Sequence, residues 1–153
     1  MPVIHDPMRL KPRTGTIYPK PFDEGFEGRL KRALTSTLGL TQFGVNLTAL
    51  EPGAKSSQRH WHTSEDECIY MLPGELTLVT MDAEHILRTS MAAGFPAGDT
   101  NAHHLINKSN APATYLEIGT RARAGTITYP DINLKCEKQD GTFQFTTKSG
   151  EPL

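Results

Sequence analysis

Glycine and proline recur along the whole chain and divide it into short segments, which restricts the folds open to it. There are 13 Gly and 11 Pro among 153 residues. Turn chemistry at 51–54 (EPGA), 72–75 (LPGE) and 139–142 (QDGT) separates short β-prone runs. This pattern predicts an all-β barrel or sandwich. The predicted strands are LTQFGVNLTAL (40–50), DECIYML (66–72), ELTLVTM (75–81), HILRT (85–89), HHLINKS (103–109), TYLEIGT (114–120) and GTFQFTT (141–147).

The chain divides into three parts. Residues 1–36 carry many prolines, and we expect an extension that packs on the barrel or on a partner subunit. Residues 37–125 contain most of the predicted strands and form the barrel. Residues 126–153 are predicted to add a strand and a hairpin that complete the sheet. The segment FEGRLKRALTSTL (26–38) is the one stretch whose pattern predicts helix, over at most a few turns.

Charge and composition exclude several functional classes. The net charge of −1 gives no general attraction to nucleic acid or anionic lipid, and no Lys/Arg-rich block with interleaved aromatics is present. The N-terminus lacks the apolar core of a signal peptide, and no segment has the length of a membrane span. These features predict a cytoplasmic protein without nucleic-acid or membrane partners, in which Cys68 and Cys136 are free thiols.

Two histidines separated by one residue open the segment HWHTSEDECIYMLPG (60–74). A strand places residues i and i+2 on one face, so His60 and His62 project together and can share a metal ion. The polar turn formers after them can bend the chain back, and Glu67 then opens an apolar run. A carboxylate in that position needs a partner. The segment therefore predicts a metal site on a β-strand.

A third imidazole follows a turn marked by Pro and Gly at 96–98. His103 and His104 are adjacent and face opposite sides of a strand, so one of the two can join His60 and His62. Three imidazoles and one carboxylate, with positions open for solvent or substrate, suit one divalent transition metal: Zn, Fe, Mn, Ni, Co or Cu.

The order of these residues resembles the first motif of the cupin family, which reads G-x5-H-x-H-x(3,4)-E-x6-G. The spacing from His60 through His62 and Glu67 to Gly74 matches this motif. Gly53 departs from it, because six residues instead of five separate it from His60.

The second cupin motif reads G-x5-P-x-G-x2-H-x3-N, and this chain follows it with departures. Ser90 stands where the first glycine would be, and four residues instead of two lie between the last glycine and the histidine. The downstream spacing to the asparagine selects His103, with His104 as the alternative. The matching residues are Pro96, Gly98, His103 and Asn107.

This resemblance implies a double-stranded β-helix, a small jelly-roll barrel, with N- and C-terminal extensions. It implies metal ligands at His60, His62, Glu67 and His103. The segments GLTQFGVNLTALEPG and YLEIGTR…YPDINL look like a group of small single-domain bacterial cupins. Some members of that group carry the label of sugar-phosphate isomerase.

The expected function is binding or conversion of a small organic ligand, anionic or sugar-like, at the metal. An isomerase- or epimerase-like enzyme would use the ion as a Lewis acid and needs a nearby base. The base candidates are Glu65, Asp66, Tyr70 and His104. A dioxygenase-like enzyme would bind O2 and substrate at iron, and a metal-dependent binding protein without turnover is the alternative to both.

Simpler interpretations accompany several of these residues. An isolated HxH pair can be two solvated histidines on a surface strand. Glu65 would replace Glu67 as ligand if the register of the loop differed. The alternation of Phe43, Val45 and Leu47 predicts one apolar strand face that, with Leu105 beside His103, would line a ligand pocket.

A homodimer is the expected assembly. A small sheet has edge strands with unpaired backbone groups, and these need a cover. The Pro-rich N-terminal arm is the predicted cover.

Overall fold

The computed structural model describes residues 2–153. They form an all-β jelly-roll barrel with the architecture of a double-stranded β-helix. Short helical turns occur at Pro7–Arg9 (3-10) and Leu34–Thr37 (α1). The strands are β1 (Arg13–Thr14), β2 (Arg29–Ala33), β3 (Phe43–Leu50), β4 (Trp61–His62), β5 (Glu67–Met71), β6 (Glu75–Val79), β7 (Glu84–Arg88), β8 (Ala92–Phe95), β9 (His104–Ile106), β10 (Ala113–Thr120), β11 (Ala124–Thr128), β12 (Lys135–Gln139) and β13 (Thr142–Thr146).

Three antiparallel sheets make up the barrel. The largest has the order β1-β2-β3-β10-β5-β8, a second has the order β13-β12-β11-β4, and the third has the order β7-β6-β9. An isolated antiparallel bridge between His60 and His103 joins the second sheet to the chain entering β9. A further bridge between Lys55 and Ile106 joins β9 to the segment that precedes β4.

The main hydrophobic core lies between the six-stranded and three-stranded sheets. Ile69, Met71 and Leu50 project from the six-stranded sheet, and Leu76 and Leu105 project from the three-stranded sheet. All are at least nine-tenths buried, and full burial of such a side chain stabilises the fold by roughly 1.5–3 kcal/mol. This core holds the two sheets in a fixed relation below the polar end of the barrel.

A second, smaller core lies on the four-stranded sheet. Tyr129, Leu134 and Cys136 are buried there, and Tyr18 and Phe22 of the N-terminal segment pack against them. Burial raises the pKa of the Cys136 thiol to about 11, so this cysteine is a packing residue and not a nucleophile. Both cysteines are free thiols, as predicted.

The seven predicted strands are present, with bounds that differ by a few residues. The prediction of helix over 26–38 was wrong for most of that segment, because Arg29–Ala33 is a strand and only Leu34–Thr37 is helical. Arg, Lys, Leu and Ala are good helix formers, so local propensity favours a helix here. Antiparallel pairing with β3, from Arg29 opposite Leu50 to Ala33 opposite Asn46, overrides that propensity.

The predicted apolar lining by Phe43, Val45 and Leu47 was also wrong. The opposite phase of β3 faces inward, with Thr48 and Leu50 fully buried, while Phe43 is 42% exposed. Outside the barrel, Thr35 of α1 accepts a hydrogen bond from the Val45 backbone N–H at 3.0 Å. The inward face is partly polar, and its Asn46 amide donates to the Glu117 carboxylate at 3.1 Å.

Within residues 2–153, no helix is long and apolar enough to cross a membrane.

Gly74, the last glycine of the first motif, has a steric role. It adopts φ +124, and a Cβ atom there would lie 2.6 Å from Cα of Ala113. Two chain segments therefore approach closely at the turn between β5 and β6. A side chain at Gly74 would force them apart.

Ser90 replaces the first glycine of the second motif but keeps a backbone conformation that glycine prefers. Its φ is +70, in the left-handed region that costs an ordinary residue roughly 1–2 kcal/mol. Its backbone N–H donates to the carbonyl of Met71 at 3.0 Å, and this hydrogen bond holds the turn. The side chain is exposed.

We expect Ser90→Gly to raise the free energy of unfolding by about 0.5–1 kcal/mol, because it relieves the left-handed strain at a small entropic cost. Urea denaturation measures the change. Ala92→Gly is the matched control: it places glycine at an exposed strand position of ordinary φ two residues away. That control should lower stability by about 0.5–1 kcal/mol. Equal destabilisation by both variants would contradict the prediction.

Candidate metal centre

Two strands and their flanking residues bring the candidate ligands together at one end of the barrel. His60 immediately precedes β4, and His62 is its last residue and pairs with Ile127 of β11. The centroids of the two imidazole rings lie 4.9 Å apart, so both rings project to the same side of the strand. Trp61 is the residue between them in the sequence. Glu67 begins β5 in the six-stranded sheet.

Donor atoms of three residues lie within 4.8 Å of one another: His60, His62 and Glu67. The two Nε2 atoms are 3.1 Å apart. Oε2 of Glu67 lies 3.5 Å from Nε2 of His60 and 3.3 Å from Nε2 of His62. Two nitrogens that bind one ion at about 2.0–2.1 Å stand about 2.8–3.4 Å apart, from the right angle of octahedral geometry to the wider angle of tetrahedral geometry. The observed separation falls in that range.

Hydrogen bonding on the far side of each ring leaves Nε2 free to act as a ligand. Nδ1 of His60 lies 2.9 Å from the carbonyl oxygen of Gln58, which can only accept, so Nδ1 donates. Nδ1 of His62 lies 3.4 Å from a carboxylate oxygen of Glu65, which favours a proton on that nitrogen. In the neutral form of each ring the lone pair on Nε2 then points inward, where it can bind a metal, whereas a ring that is protonated on both nitrogens donates from Nε2 to Glu67. Two lone pairs and a carboxylate oxygen this close together are stabilised by a shared cation.

His103 joins the same cluster through Glu67. Its Nε2 lies 2.8 Å from Oε2 of Glu67, and its ring stacks on Phe95 at 3.5 Å and 5°. The backbone N–H of His103 donates to the carbonyl of His60 at 2.9 Å, and the backbone N–H of His60 donates to the carbonyl of His103 at 3.1 Å. The two extra residues before His103 therefore do not displace it.

His104 begins β9 on the opposite side of the chain from His103. Burial, and then the charges of Lys55 and Arg59, lower the pKa of His104 to about 4. No hydrogen bond or ion pair joins its side chain to Glu67 among residues 2–153. Of the two adjacent histidines, His103 is the one in contact with Glu67.

The electrostatics of the cluster are dominated by Glu67. Burial raises the pKa of its carboxyl, but hydrogen bonds from His103, His60 and His62 outweigh this and hold the pKa well below its usual value. Burial lowers the pKa of His60, and the contact with Glu67 reverses this, so that its pKa is raised. For His103, burial prevails and the pKa is lowered. Glu67 is therefore an ionised carboxylate, the form that binds a metal.

The other base candidates lie outside this cluster. Glu65 accepts hydrogen bonds from the Ala122 backbone N–H at 3.0 Å and from the Lys138 ammonium, and its free oxygen faces His62. It orients His62 instead of facing the cavity. Tyr70 projects from the face of β5 opposite Glu67 and is 40% exposed. Asp66 accepts from the Ala97 backbone N–H at 2.7 Å.

A cavity of about 270 Å³ opens beside the candidate ligands. Its wall combines basic, acidic, hydroxyl and apolar groups, and Leu105 lines it as predicted. The residues that matter for chemistry are His60, His62, Glu67, His103, Arg13, Arg29, Lys31, Glu117, Tyr18, Tyr115 and Tyr129.

Glu117 is a cavity residue that the sequence analysis missed. Its carboxylate forms an ion pair with the Lys31 ammonium at 2.6 Å. It also accepts hydrogen bonds from the Asn46 amide at 3.1 Å and from the Tyr115 hydroxyl at 3.2 Å. Glu117 lies two residues after the buried Tyr115, so the alternation within TYLEIGT places it on the inward face. A charged residue at an inward position was the signal that could have found it.

Arg29, Lys31, Tyr18 and Tyr129 were missed for two different reasons. Arg29 and Lys31 share one face of β2, but the helical interpretation of that segment concealed their alternation. Tyr18 and Tyr129 come from the two terminal parts of the chain and pack edge to face, with ring centroids 5.6 Å apart. No local pattern indicates that contact.

Comparison with known proteins gives one family. Residues 46–119 match the model of the Cupin_2 family, described as a cupin domain. This match includes all of the candidate ligands. No functionally curated protein matches the sequence.

Several solved structures are similar to this chain. A protein from Silicibacter pomeroyi, described as a sugar phosphate isomerase from a cupin superfamily, is 42% identical over 97% of this chain and 94% of its own, with a TM-score of 0.92. A proposed sugar phosphate isomerase from Acidithiobacillus ferrooxidans is 24% identical over 95% and 90%, with a TM-score of 0.81. A polyketide cyclase from Streptomyces resistomycificus is 19% identical over 78% and 79%, with a TM-score of 0.61. The last two show the shared fold.

We expect Lys138→Met to lower the free energy of unfolding by about 3 kcal/mol, because it leaves the buried Glu65 carboxylate without its cation. Both side chains are nearly buried, with 12% and 14% exposed. The control is Lys135→Met on the same strand, since Lys135 pairs with Glu137 at the surface and should contribute about 0–1 kcal/mol. Urea denaturation compares the two variants. Similar losses in both would contradict a structural role for the Lys138–Glu65 pair.

Proposed function

The chain belongs to the cupin superfamily, and on that premise we propose that it is a metal-dependent enzyme acting on a small, oxygen-rich organic molecule. His60, His62, Glu67 and His103 would hold one divalent transition metal. The set of three imidazoles and one carboxylate suits Zn, Fe, Mn, Ni, Co or Cu. The observation that carries the proposal is the pair of inward-facing Nε2 atoms, 3.1 Å apart beside an ionised carboxylate.

The reaction that this site supports best is isomerisation of a hydroxy-carbonyl compound. A bound ion would supply Lewis-acid polarisation of the carbonyl group. Glu117 would act as the base that removes a proton from the carbon next to the carbonyl. The same carboxyl group would return it to the neighbouring carbon, while the hydroxyl proton passes to the former carbonyl oxygen. The similarity to the Silicibacter pomeroyi protein, described as a sugar phosphate isomerase, supports this class.

The surroundings of Glu117 suit that role. The Lys31 ammonium pairs with the carboxylate at 2.6 Å, and the Asn46 amide and Tyr115 hydroxyl fix its orientation. Glu117 also lines the cavity that the candidate ligands border, and its charge acts on His60. A base near the ion is the requirement that separates an isomerase from a site that only binds.

The homodimer and the cytoplasmic location predicted from the sequence remain proposals. Exposed apolar side chains at Met81, Ile86 and Met91 are compatible with a covered surface.

Metal binding is tested by elemental analysis of untagged protein. We expect about one equivalent of a divalent transition metal in the wild type and less than about a tenth in His60→Ala/His62→Ala, because two of the four ligands are removed. His85→Ala is the control, since His85 is exposed on β7. Circular dichroism establishes that each variant is folded. Equal metal content in the double variant and the wild type would reject the proposed ligands.

Isomerisation is tested by proton exchange in D2O, followed by NMR, with three- to six-carbon hydroxy-aldehyde and ketose phosphates as substrates. We expect the metal-loaded wild type to incorporate deuterium next to the carbonyl, and Glu117→Gln to slow this by about 100-fold or more at unchanged metal content. Glu84→Gln is the control, because it removes a carboxylate paired with a lysine outside the cavity.

The same experiment separates the alternatives. Exchange at the wild-type rate in Glu117→Gln would reject Glu117 as the base. Ligand binding without exchange by the wild type would support the metal-dependent binding protein. Turnover that requires air would support the dioxygenase-like reaction.

A further inference from the structure

Arg29 is a buried cation in the cavity wall whose charge is not matched by a carboxylate. It is 8% exposed. Its Nη1 donates to the carbonyl oxygen of Gly15 at 3.1 Å. Among residues 2–153, no group accepts a hydrogen bond from its Nε, which is fully buried. A buried charge with an unsatisfied donor is costly, so its retention needs an explanation.

Two other cations close to the site have carboxylate partners. Lys31 contacts Glu117 at 2.6 Å, and Lys138 contacts Glu65. Within the part of the chain that the structure describes, Arg29 forms no ion pair with a carboxylate, and a backbone carbonyl is its polar partner. Arg29 is thus the buried cation that remains free to neutralise a charge brought in from outside.

The position of Arg29 directs this charge into the cavity. Arg29 and Lys31 lie two residues apart on β2 and both line the cavity, whereas Arg32 points the other way and donates to the carbonyl of Leu10 at 3.0 Å. The charge of Arg29 also acts on Tyr18 and Tyr115, two further cavity residues. The guanidinium therefore belongs to the same chamber as the candidate metal ligands.

The free edge of the guanidinium matches an oxyanion. Because Nη1 donates to Gly15, the remaining edge of the guanidinium is the one formed by Nε and Nη2, where Nε has no acceptor among residues 2–153. This edge presents two parallel N–H groups, the arrangement that binds two oxygens of a carboxylate or phosphate. A neutral hydroxyl would satisfy one donor but would leave the charge unpaired.

The charge balance of the cavity favours an anion. The Glu117 carboxylate is matched by Lys31, and the Glu67 carboxylate is held by imidazoles. Arg29 then adds a net positive charge, and the exposed Arg13 adds another at the cavity wall. A low-dielectric wall strengthens the attraction between such charges and an entering anion.

We propose that Arg29 binds the oxyanion group, phosphate or carboxylate, of the small molecule that occupies the cavity. This rests on the proposed function in one respect, namely that the cavity is the substrate site. The cavity of about 270 Å³ has room for about nine water molecules, so the ligand has on the order of ten non-hydrogen atoms. Arg29 would hold one end of this ligand while its reacting end lies beside His60, His62 and Glu67.

The test measures binding of inorganic phosphate and of malonate by calorimetry. We expect Arg29→Met to weaken binding of the preferred anion by about tenfold or more, because a charge-assisted pair of hydrogen bonds is lost. Arg32→Met is the matched control: it removes an arginine from the same strand together with one bond to a backbone carbonyl, and should change binding less than about twofold. The anion that binds more tightly to the wild type identifies the chemical source of the oxyanion.

A second measurement keeps the proposal testable if Arg29→Met does not fold. The Nε–H resonance of Arg29 in the wild type, assigned by its loss in Arg29→Lys, should shift on addition of the preferred anion. Equal affinities of Arg29→Met and Arg32→Met, an unmoved Nε–H resonance at saturation, or no binding of either anion would each overturn the proposal.

Failure of the proposed function gives a different result. In His60→Ala/His62→Ala the metal-dependent part of anion binding should disappear, while the shift of the Arg29 resonance should persist. If the double variant keeps its metal but the Arg29 resonance responds to anion, the ligand assignment fails and the oxyanion site stands. If metal is lost as expected and the resonance does not respond, the oxyanion site fails and the metal assignment stands.

Discussion

The contacts of the Glu67 carboxylate with three imidazoles hold the candidate site together, and they also join the three sheets. Glu67 begins a strand of the six-stranded sheet, His62 ends a strand of the four-stranded sheet, and His103 precedes β9 of the three-stranded sheet. Paired backbone hydrogen bonds between His60 and His103 fix two of these elements to each other. The geometry of the donor atoms is therefore set by the packing of the whole barrel and not by one loop.

Two regions of the chain contribute different chemistry to the cavity. The matched motif region supplies the imidazoles and the ionised carboxylate, which form the electron-rich end. The N-terminal strand β2 supplies Arg29 and Lys31, which form the cationic wall. Lys31 neutralises Glu117, and Arg29 keeps its charge available. The matched region and the strand β2 that precedes it thus line different parts of one cavity.

Hydrogen bonds from the imidazoles, acting against burial, set the ionised state of Glu67. Desolvation alone would push Glu67 toward its neutral form, and the surrounding ring nitrogens reverse that preference. On the outer side of the rings, Nδ1 of His60 donates to the carbonyl of Gln58 and Nδ1 of His62 lies 3.4 Å from Glu65, so that Nε2 is the nitrogen that faces Glu67 in each ring. Glu65 is itself held by Lys138 on β12. The orientation of His62 thus depends on a strand from the C-terminal part of the chain.

How far the sequence predicts this protein follows from the range of each interaction. Turn residues and alternation located the strands, and the spacing of His60, His62 and Glu67, followed by His103 or His104, located the cluster, because these are local properties of the chain. The strand β2 and the inward phase of β3 could not be read this way. Helix-forming residues concealed β2, and the inward positions Asn46 and Thr48 are polar, with Asn46 bonded to Glu117 of a distant strand only in the folded barrel.

The sequence by itself therefore determined the all-β class, the family and the residue types that meet at one end of the barrel. The tertiary structure alone decided which of the two adjacent histidines contacts Glu67, which carboxylates face the cavity, and that Arg29 is buried there without a matching carboxylate among residues 2–153. The physical reason is that burial and charge pairing depend on segments far apart in the chain. A local pattern specifies where a side chain points along its strand, but only the assembled sheets specify what it meets.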